Sequence, residues 1–267
     1  MALLGSSFSH SQQKSPICNP QSEIYNMIDT HAHLNEIEEI DLVIQRAKDV
    51  GIRGIVAVGM DLASNVTTLD LAEQFPDMVH PAIGYHPWSI RTDTIEENLK
   101  FIEENLPSCI ALGEVGIDYK TRVKKPVQWE VFSKVLSLAI RHNRPVIVHS
   151  RFSHHRSHQM VRDSGIEKAV FHWYTGSLEI LEKIIDDGYY ISATPALAYS
   201  PPHQAAMKAA AIERILVETD SPVEYQGKVS EPADLIMTIR ELSNLKDMES
   251  EEVQRITTSN AKQFFGL

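Results

Sequence analysis

From residue 27 onward, short apolar runs alternate with longer segments in which apolar residues recur at helical spacing. Met27-Ile28-Asp29-Thr30-His31 reads as a strand, and Ile37, Ile40, Val43, Ile44, Ala47 and Val50 follow on one helical face that stops at Gly51. The pair then repeats. Residues 55–58 lead to a helix beyond Ser64, 81–84 to one beyond Thr94, and 110–113 to one from about Gln128. Strands over 146–149, 169–172, 190–193 and 215–219 are each followed by a helical stretch. Eight such units predict an α/β fold with a parallel sheet and crossover helices, closed as a single-domain TIM-like (β/α)8 barrel over 27–267. The first strand is followed by no glycine-rich loop, which argues against a dinucleotide-binding sheet.

Residues 1–26 are rich in Ser, Gln, Asn and Pro and show no apolar period, so they are expected to form a polar, flexible leader. The 267 residues suit one barrel, which takes about 250. No apolar run reaches the ~18 residues of a membrane span, and no membrane partner is expected. Cys18 and Cys109 have no disulfide-framework spacing, which fits a cytoplasmic location. The formal charge of −11 argues against broad, sequence-independent binding to duplex nucleic acid. A nuclease is still compatible with it, because bound cations would put positive charge where a phosphate must sit.

The candidate chemistry lies where the apolar runs end. In Asp29-Thr30-His31-Ala32-His33, strand alternation points both histidines to one side of the backbone. Strand four ends in Gly113-Glu114-Val115-Gly116, strand five in His149-Ser150-Arg151, strand six in His172-Trp173-Tyr174, and strand eight in Glu218-Thr219-Asp220-Ser221-Pro222. A closed barrel brings such positions to one face, and a buried carboxylate there is costly without a cation or partner. Four histidines and two carboxylates suit two divalent cations: zinc, or magnesium or manganese where carboxylate and water dominate. The expected arrangement places His31, His33 and Asp220 on one ion, His149 and His172 on the other, and Glu114 as the bridge. Asp220 is also a candidate general base.

The motifs containing these residues resemble the TatD family of deoxyribonucleases in the amidohydrolase superfamily. They run from Ile28-Asp29-Thr30-His31-Ala32-His33-Leu34 through Ile83-Gly84-Tyr85-His86-Pro87, Gly113-Glu114-Val115-Gly116-Ile117-Asp118-Tyr119 and Pro145-Val146-Ile147-Val148-His149-Ser150-Arg151. His172-Trp173-Tyr174-Thr175-Gly176-Ser177, Glu218-Thr219-Asp220-Ser221-Pro222, Glu231-Pro232 and the closing Asn260-Ala261-Lys262-Gln263-Phe264-Phe265-Gly266-Leu267 complete the set. The resemblance implies a TIM-like barrel, divalent-metal dependence and hydrolysis of DNA phosphodiesters; a barrel-mouth pocket and an acidic chain favour the ends of single strands over duplex, and the resemblance implies the 3′ end, hence a 3′-5′ exonuclease on single strands. It places ligands at the same six positions, with Glu114 where phosphotriesterase-like relatives carry a modified lysine.

Two stretches depart from the family pattern. Residues 152–158 are histidine-rich where a small acidic stretch is usual, and Trp173-Tyr174 stands where Cys-Phe is frequent. The first reads either as a basic loop on the metal face or as a solvated helix start; His154 and His158 have the spacing of a helical metal pair but no evident carboxylate. His86 and Arg151 are the candidate substrate contacts, Arg151 because its guanidinium matches a pair of phosphate oxygens. Lys120, Arg122, Lys124 and Lys125 form a basic segment that reads as a backbone track or a solvated charge run. Two other functions share this ligand set: hydrolysis of another small ester or amide, and a metal-binding partner module without turnover.

Overall fold

A computed structural model describes residues 26–267. The predicted leader, with His10 and Cys18, lies outside the described residues apart from Asn26. Eight parallel strands lie in chain order: β1 Met27–Ala32, β2 Ile52–Val58, β3 Val79–Ile83, β4 Ala111–Asp118, β5 Val146–Arg151, β6 Ala169–Phe171, β7 Tyr190–Ala193 and β8 Ile215–Val217. The segment after β8 joins the barrel's edges. Asp220 N–H donates to the His31 carbonyl at 2.9 Å, His33 N–H donates to that of Ser221 at 2.7 Å, and Ala32 bridges Ser221 in parallel.

Around the strands run α1 Ile40–Asp49, α2 Leu62–Gln74, α3 Ile95–Asn105, α4 Lys125–Arg141, α5 His154–Ser164, α6 Leu178–Asp186, α7 Pro201–Ala209, α8 Leu235–Lys246 and α9 Ser250–Phe265. A short hairpin, β9 Glu224–Tyr225 with β10 Lys228–Val229, follows the last barrel strand. Two helices start earlier than their apolar period suggested. In α2, Asp61 accepts from Ser64 N–H while the Ser64 hydroxyl accepts from Asp61 N–H, a capping box that sets the first turn. In α4, Pro126 occupies the first turn, and Gln128 turns inward to bind the backbone of Asp118 at 2.8 and 2.9 Å.

The pleat sorts the strand side chains into two cores. Ile55 and Ala57 of β2, Val146 and Val148 of β5, Ile191 and Ala193 of β7, and Ile215 and Val217 of β8 pack outward beneath the helices. Ile28, Val56, Val58, Ala82, Ala111, Ile147, Val170 and Leu216 fill the barrel interior. Phe264, Phe265 and Ala261 of α9 pack into that interior cluster, and Asn260 ties the helix to the Ile212 and Ile215 carbonyls at 2.8 and 2.9 Å. The barrel is therefore a packed core with space left at the C-terminal ends of the strands.

Candidate active site

Two β-bulges aim the polar side chains into that space. Between Asp29 and Ala32, β1 spends three residues against two of β2; β4 does the same against β5 between Leu112 and Val115. An extra residue reverses the in–out phase of everything beyond it. Leu112 and Val115 both pack outward, so Glu114 turns inward, and Ala32 packs outward between inward-facing His31 and His33. Beyond Glu114 the strand continues past its predicted end, carrying Asp118 inward as well. Gly116 lies between them because a Cβ there would stand 2.0 Å from the His149 carbonyl oxygen.

Four of the predicted ligands, His31, His33, His149 and His172, converge on a fifth, Glu114, which is 2% exposed. Its Oε2 lies 3.5 Å from both His31 Nε2 and His33 Nε2, which are themselves 3.2 Å apart. Asp220 Oδ1 is 3.5 and 3.4 Å from the same two nitrogens. Glu114 Oε1 faces a second set, with His149 Nδ1 at 2.7 Å and His172 Nε2 at 2.6 Å. One carboxylate thus serves two groups of imidazoles with different oxygens. Donor atoms at the corners of a tetrahedron with bonds of about 2.0–2.1 Å are roughly 3.3 Å apart, so the first set has the spacing to hold an imidazole-tolerant divalent ion. Among the described residues Nδ1 of His31 is buried without a hydrogen-bond partner, which leaves Nε2 as the nitrogen aimed at the shared space.

Neighbouring groups orient these rings. His33 Nδ1–H donates to the Val58 carbonyl at 3.2 Å, freeing Nε2. Asp118 stands 3.3 Å from His149 Nε2, and Glu218 stands 3.5 Å from His172 Nδ1. Both carboxylates were present in the sequence motifs but were assigned no role; lying two or four strand positions from a candidate ligand was the available signal. His86 is also buried, with Nε2 3.4 Å from Glu114 Oε1. Its Nδ1 accepts from Trp88 N–H at 3.1 Å, so in the neutral ring Nε2 carries the proton and points it at the carboxylate.

Burial raises the carboxylate pKa values here, but the imidazoles outweigh it. His172, His86 and His149 hold Glu114 well below its usual range, and His33, His31 and His172 hold Asp220 below its own. Burial opposes charge on His33, yet Asp220 and Glu114 push it up to about 9. Burial lowers His86 to about 4 despite Glu114. Asp29, fully buried one residue before the Thr30–Val217 contact, is pushed by burial up to about 8 while accepting from Thr219 N–H and Oγ.

A cavity of about 460 Å³ opens over these groups, and His33, His86, Glu114, His149, Arg151, His172 and Asp220 are among the residues that line it. The histidine-rich stretch does not form a loop here. Residues from His154 onward are helical, His158 is buried against Asp187 at 2.7 Å, and His154 packs edge-on to Tyr174, so their rings do not form a joint ligand pair. Of the basic segment, Lys125 begins α4, Lys120 lies over the Phe152 ring and Lys125 over that of Tyr119. His203 is buried and hydrogen-bonded to the backbone of Tyr174 and Thr194. Among the described residues no helix is long and apolar enough to cross a membrane.

Comparison with known proteins gives a consistent result. Residues 28–266 match the family described as TatD related DNase. An uncharacterized metal-dependent hydrolase of Bacillus subtilis is 32% identical over 255 residues, covering 90% of this chain and 99% of the relative. A 3′-5′ ssDNA/RNA exonuclease of Edwardsiella piscicida is 27% identical over 245 residues, covering 86% and 94%. The crystal structure of a TatD homologue from Escherichia coli superposes with a TM-score of 0.81 over 91% of this chain and 99% of that one, at 23% identity. This chain belongs to the TatD family and is a metal-dependent hydrolase.

Proposed function

We propose that this hydrolase holds two divalent cations and removes nucleotides from the 3′ end of single-stranded DNA. The observation that carries the reading is Glu114, whose two oxygens face two separate sets of imidazoles. His31, His33 and Asp220 would hold one ion, His149 and His172 the other, with Glu114 between them. When bound, such ions supply positive charge to a phosphoryl oxygen and make water more acidic. Asp220, kept anionic by its histidine neighbours, accepts a proton from the attacking water. The Arg151 guanidinium donates to phosphate oxygens, His86 lines the same cavity with its Nε2–H directed at Glu114, and Asp118 and Glu218 keep His149 and His172 in their rotamers.

Shape supports ends over interiors. The cavity is a pocket at the barrel mouth, which a flexible strand terminus can enter and the convex backbone of a duplex cannot. The relative named a 3′-5′ exonuclease supports the polarity. The test is a time course on a 5′-labelled single-stranded oligonucleotide with magnesium, manganese or zinc. A descending ladder is expected. Equal cutting of a circular single strand would overturn the exonuclease mode, and no cleavage of any nucleic acid would turn the assignment to a small ester or amide.

A further inference from the structure

We infer that Trp88 and Trp173 are stacking platforms for the unpaired bases on the two sides of the scissile phosphate; this rests on the nuclease reading above and adds to it how the strand is gripped. Both indoles line the cavity that contains Glu114, His149 and His172, and both are joined through the backbone to residues of the site. Trp88 follows His86 by two residues, and Trp173 follows His172 directly. Trp88 stands against His86 and His149 and Trp173 is bonded to His172, so both indoles border the cavity in which a phosphate would meet the imidazole sets.

Each ring is held in place. Trp88 is 55% exposed, an unusual position for so large an apolar side chain, yet its Nε1–H donates to Asp118 Oδ2 at 2.5 Å. Its ring stands edge-on to His86, at 4.7 Å and 82°, and to His149, at 5.9 Å and 72°. Its donor is satisfied within the site while its exposed apolar surface borders the cavity. Trp173 has a left-handed φ of 40°, sustained by donation of its N–H to Ser192 Oγ at 2.9 Å and Glu218 Oε1 at 3.1 Å. A non-glycine residue keeps such a backbone only where its surroundings over-determine it. Its ring rests on Tyr225 at 5.5 Å, and Tyr199, 42% exposed, lines the same cavity.

Rigid aromatic faces beside a phosphate-accepting centre suit nucleobases. Every base has a π-face, so stacking is tolerant of sequence, and removing one stacked base weakens binding roughly 5- to 150-fold. A chain with a formal charge of −11 has little general attraction for a polyanion, so stacking has to contribute much of the affinity. Bases in a duplex are already stacked and paired, and taking one out costs free energy. Preference for single strands then follows from the indoles as well as from the shape of the mouth.

The test compares the full-length protein on 5′-labelled oligonucleotides that are intact, abasic at the 3′-terminal position, or abasic at the penultimate position. The wild-type protein is expected to lose roughly 5- to 150-fold in kcat/KM, chiefly through KM, at each abasic position. Trp88→Ala and Trp173→Ala should each abolish the discrimination at one of the two positions, and Trp88→Phe and Trp173→Phe should restore part of it. Titration of the metal-free protein in EDTA with oligodeoxythymidylate supplies a second readout: the strand should quench tryptophan fluorescence, and the abasic strands should quench it less. Cleavage of intact and abasic strands at equal rates by the wild type would overturn the stacking role while leaving the nuclease reading in place. Failure to cleave or bind any single strand would overturn both.

Discussion

Glu114→Gln tests the centre of the site with little change in shape. Whichever way the amide settles, one of its two positions carries an NH2 donor in place of an oxygen, so either the His31–His33 set or the His149–His172 set loses its acceptor. Oε1 now has contacts at 2.6 and 2.7 Å, and hydrogen bonds to charged groups contribute about 1.5–3 kcal/mol each. The cost of burying a carboxylate disappears at the same time, and it opposes that loss. The metal-free fold should therefore weaken by no more than about 1–3 kcal/mol, or roughly 2–10 °C in melting temperature for a chain of this size. Metal binding and turnover lose far more. Occupancy should fall towards one ion per chain, the remaining ion should bind at least about 10-fold more weakly, and hydrolysis should drop by at least about 100-fold. Elemental analysis of the dialysed protein, calorimetry and the labelled-oligonucleotide assay read these three quantities separately. Unchanged metal content with unchanged turnover would remove Glu114 from the site's chemistry, and a lost fold would show that its role is structural.

Cation binding should release protons at neutral pH, because His33 is pushed up to about 9 and, against burial, the carboxylates raise His149 and His172 as well, and each must lose its proton to act as a ligand; apparent affinity should rise with pH through neutrality. Titration calorimetry in buffers of different ionisation enthalpy measures this, and zero proton release would contradict it. His203 has the opposite sign: burial lowers it to about 4 from an ordinary 6.5, so the unfolded chain takes up its proton first. Stability from this group is complete above about pH 6.5 and falls by up to about 3 kcal/mol as pH drops towards 4, a slope that His203→Asn should lack in urea melts. Phe264→Ala, at the closed end of the barrel where the ring is 1% exposed and 5.3 Å from Tyr190, should cost about 3–5 kcal/mol. Metal content at a permissive temperature should stay that of the wild type, because the site lies at the other end; joint loss of both would show that α9 supports the site.

The barrel could be read from the chain because its signal is local. Strand and helix periods depend on which side of each element is buried, and a run such as Ile55, Val56, Ala57 and Val58 shows that within a few residues. The ligand types could also be read, since His31, His33, Glu114, His149, His172 and Asp220 each stand where an apolar run ends, and closing a parallel barrel puts those ends together. The element boundaries were less legible. The Asp61–Ser64 cap, Pro126 at the start of α4 and helical residues from His154 are set by hydrogen bonding and backbone constraint, which hydrophobic periodicity does not report.

The division of the candidate ligands into two sets was expected from the sequence; only the tertiary structure decided how Glu114 comes to face both. Plain alternation from Leu112 would turn Glu114 outward; the extra residue before Val115 turns it in, and that residue is visible only in the register of β4 against β5. The positions of Asp118 and Glu218 behind His149 and His172, and the His86 tautomer set by Trp88 N–H, likewise depend on partners distant in sequence or on the path of a loop. Asp220 reaches the first imidazole pair because its backbone N–H bonds to the carbonyl of His31, a residue at the other end of the chain. Residue types announce which chemistry is available, whereas which oxygen faces which nitrogen is set by register and by long-range hydrogen bonds formed only when the barrel closes.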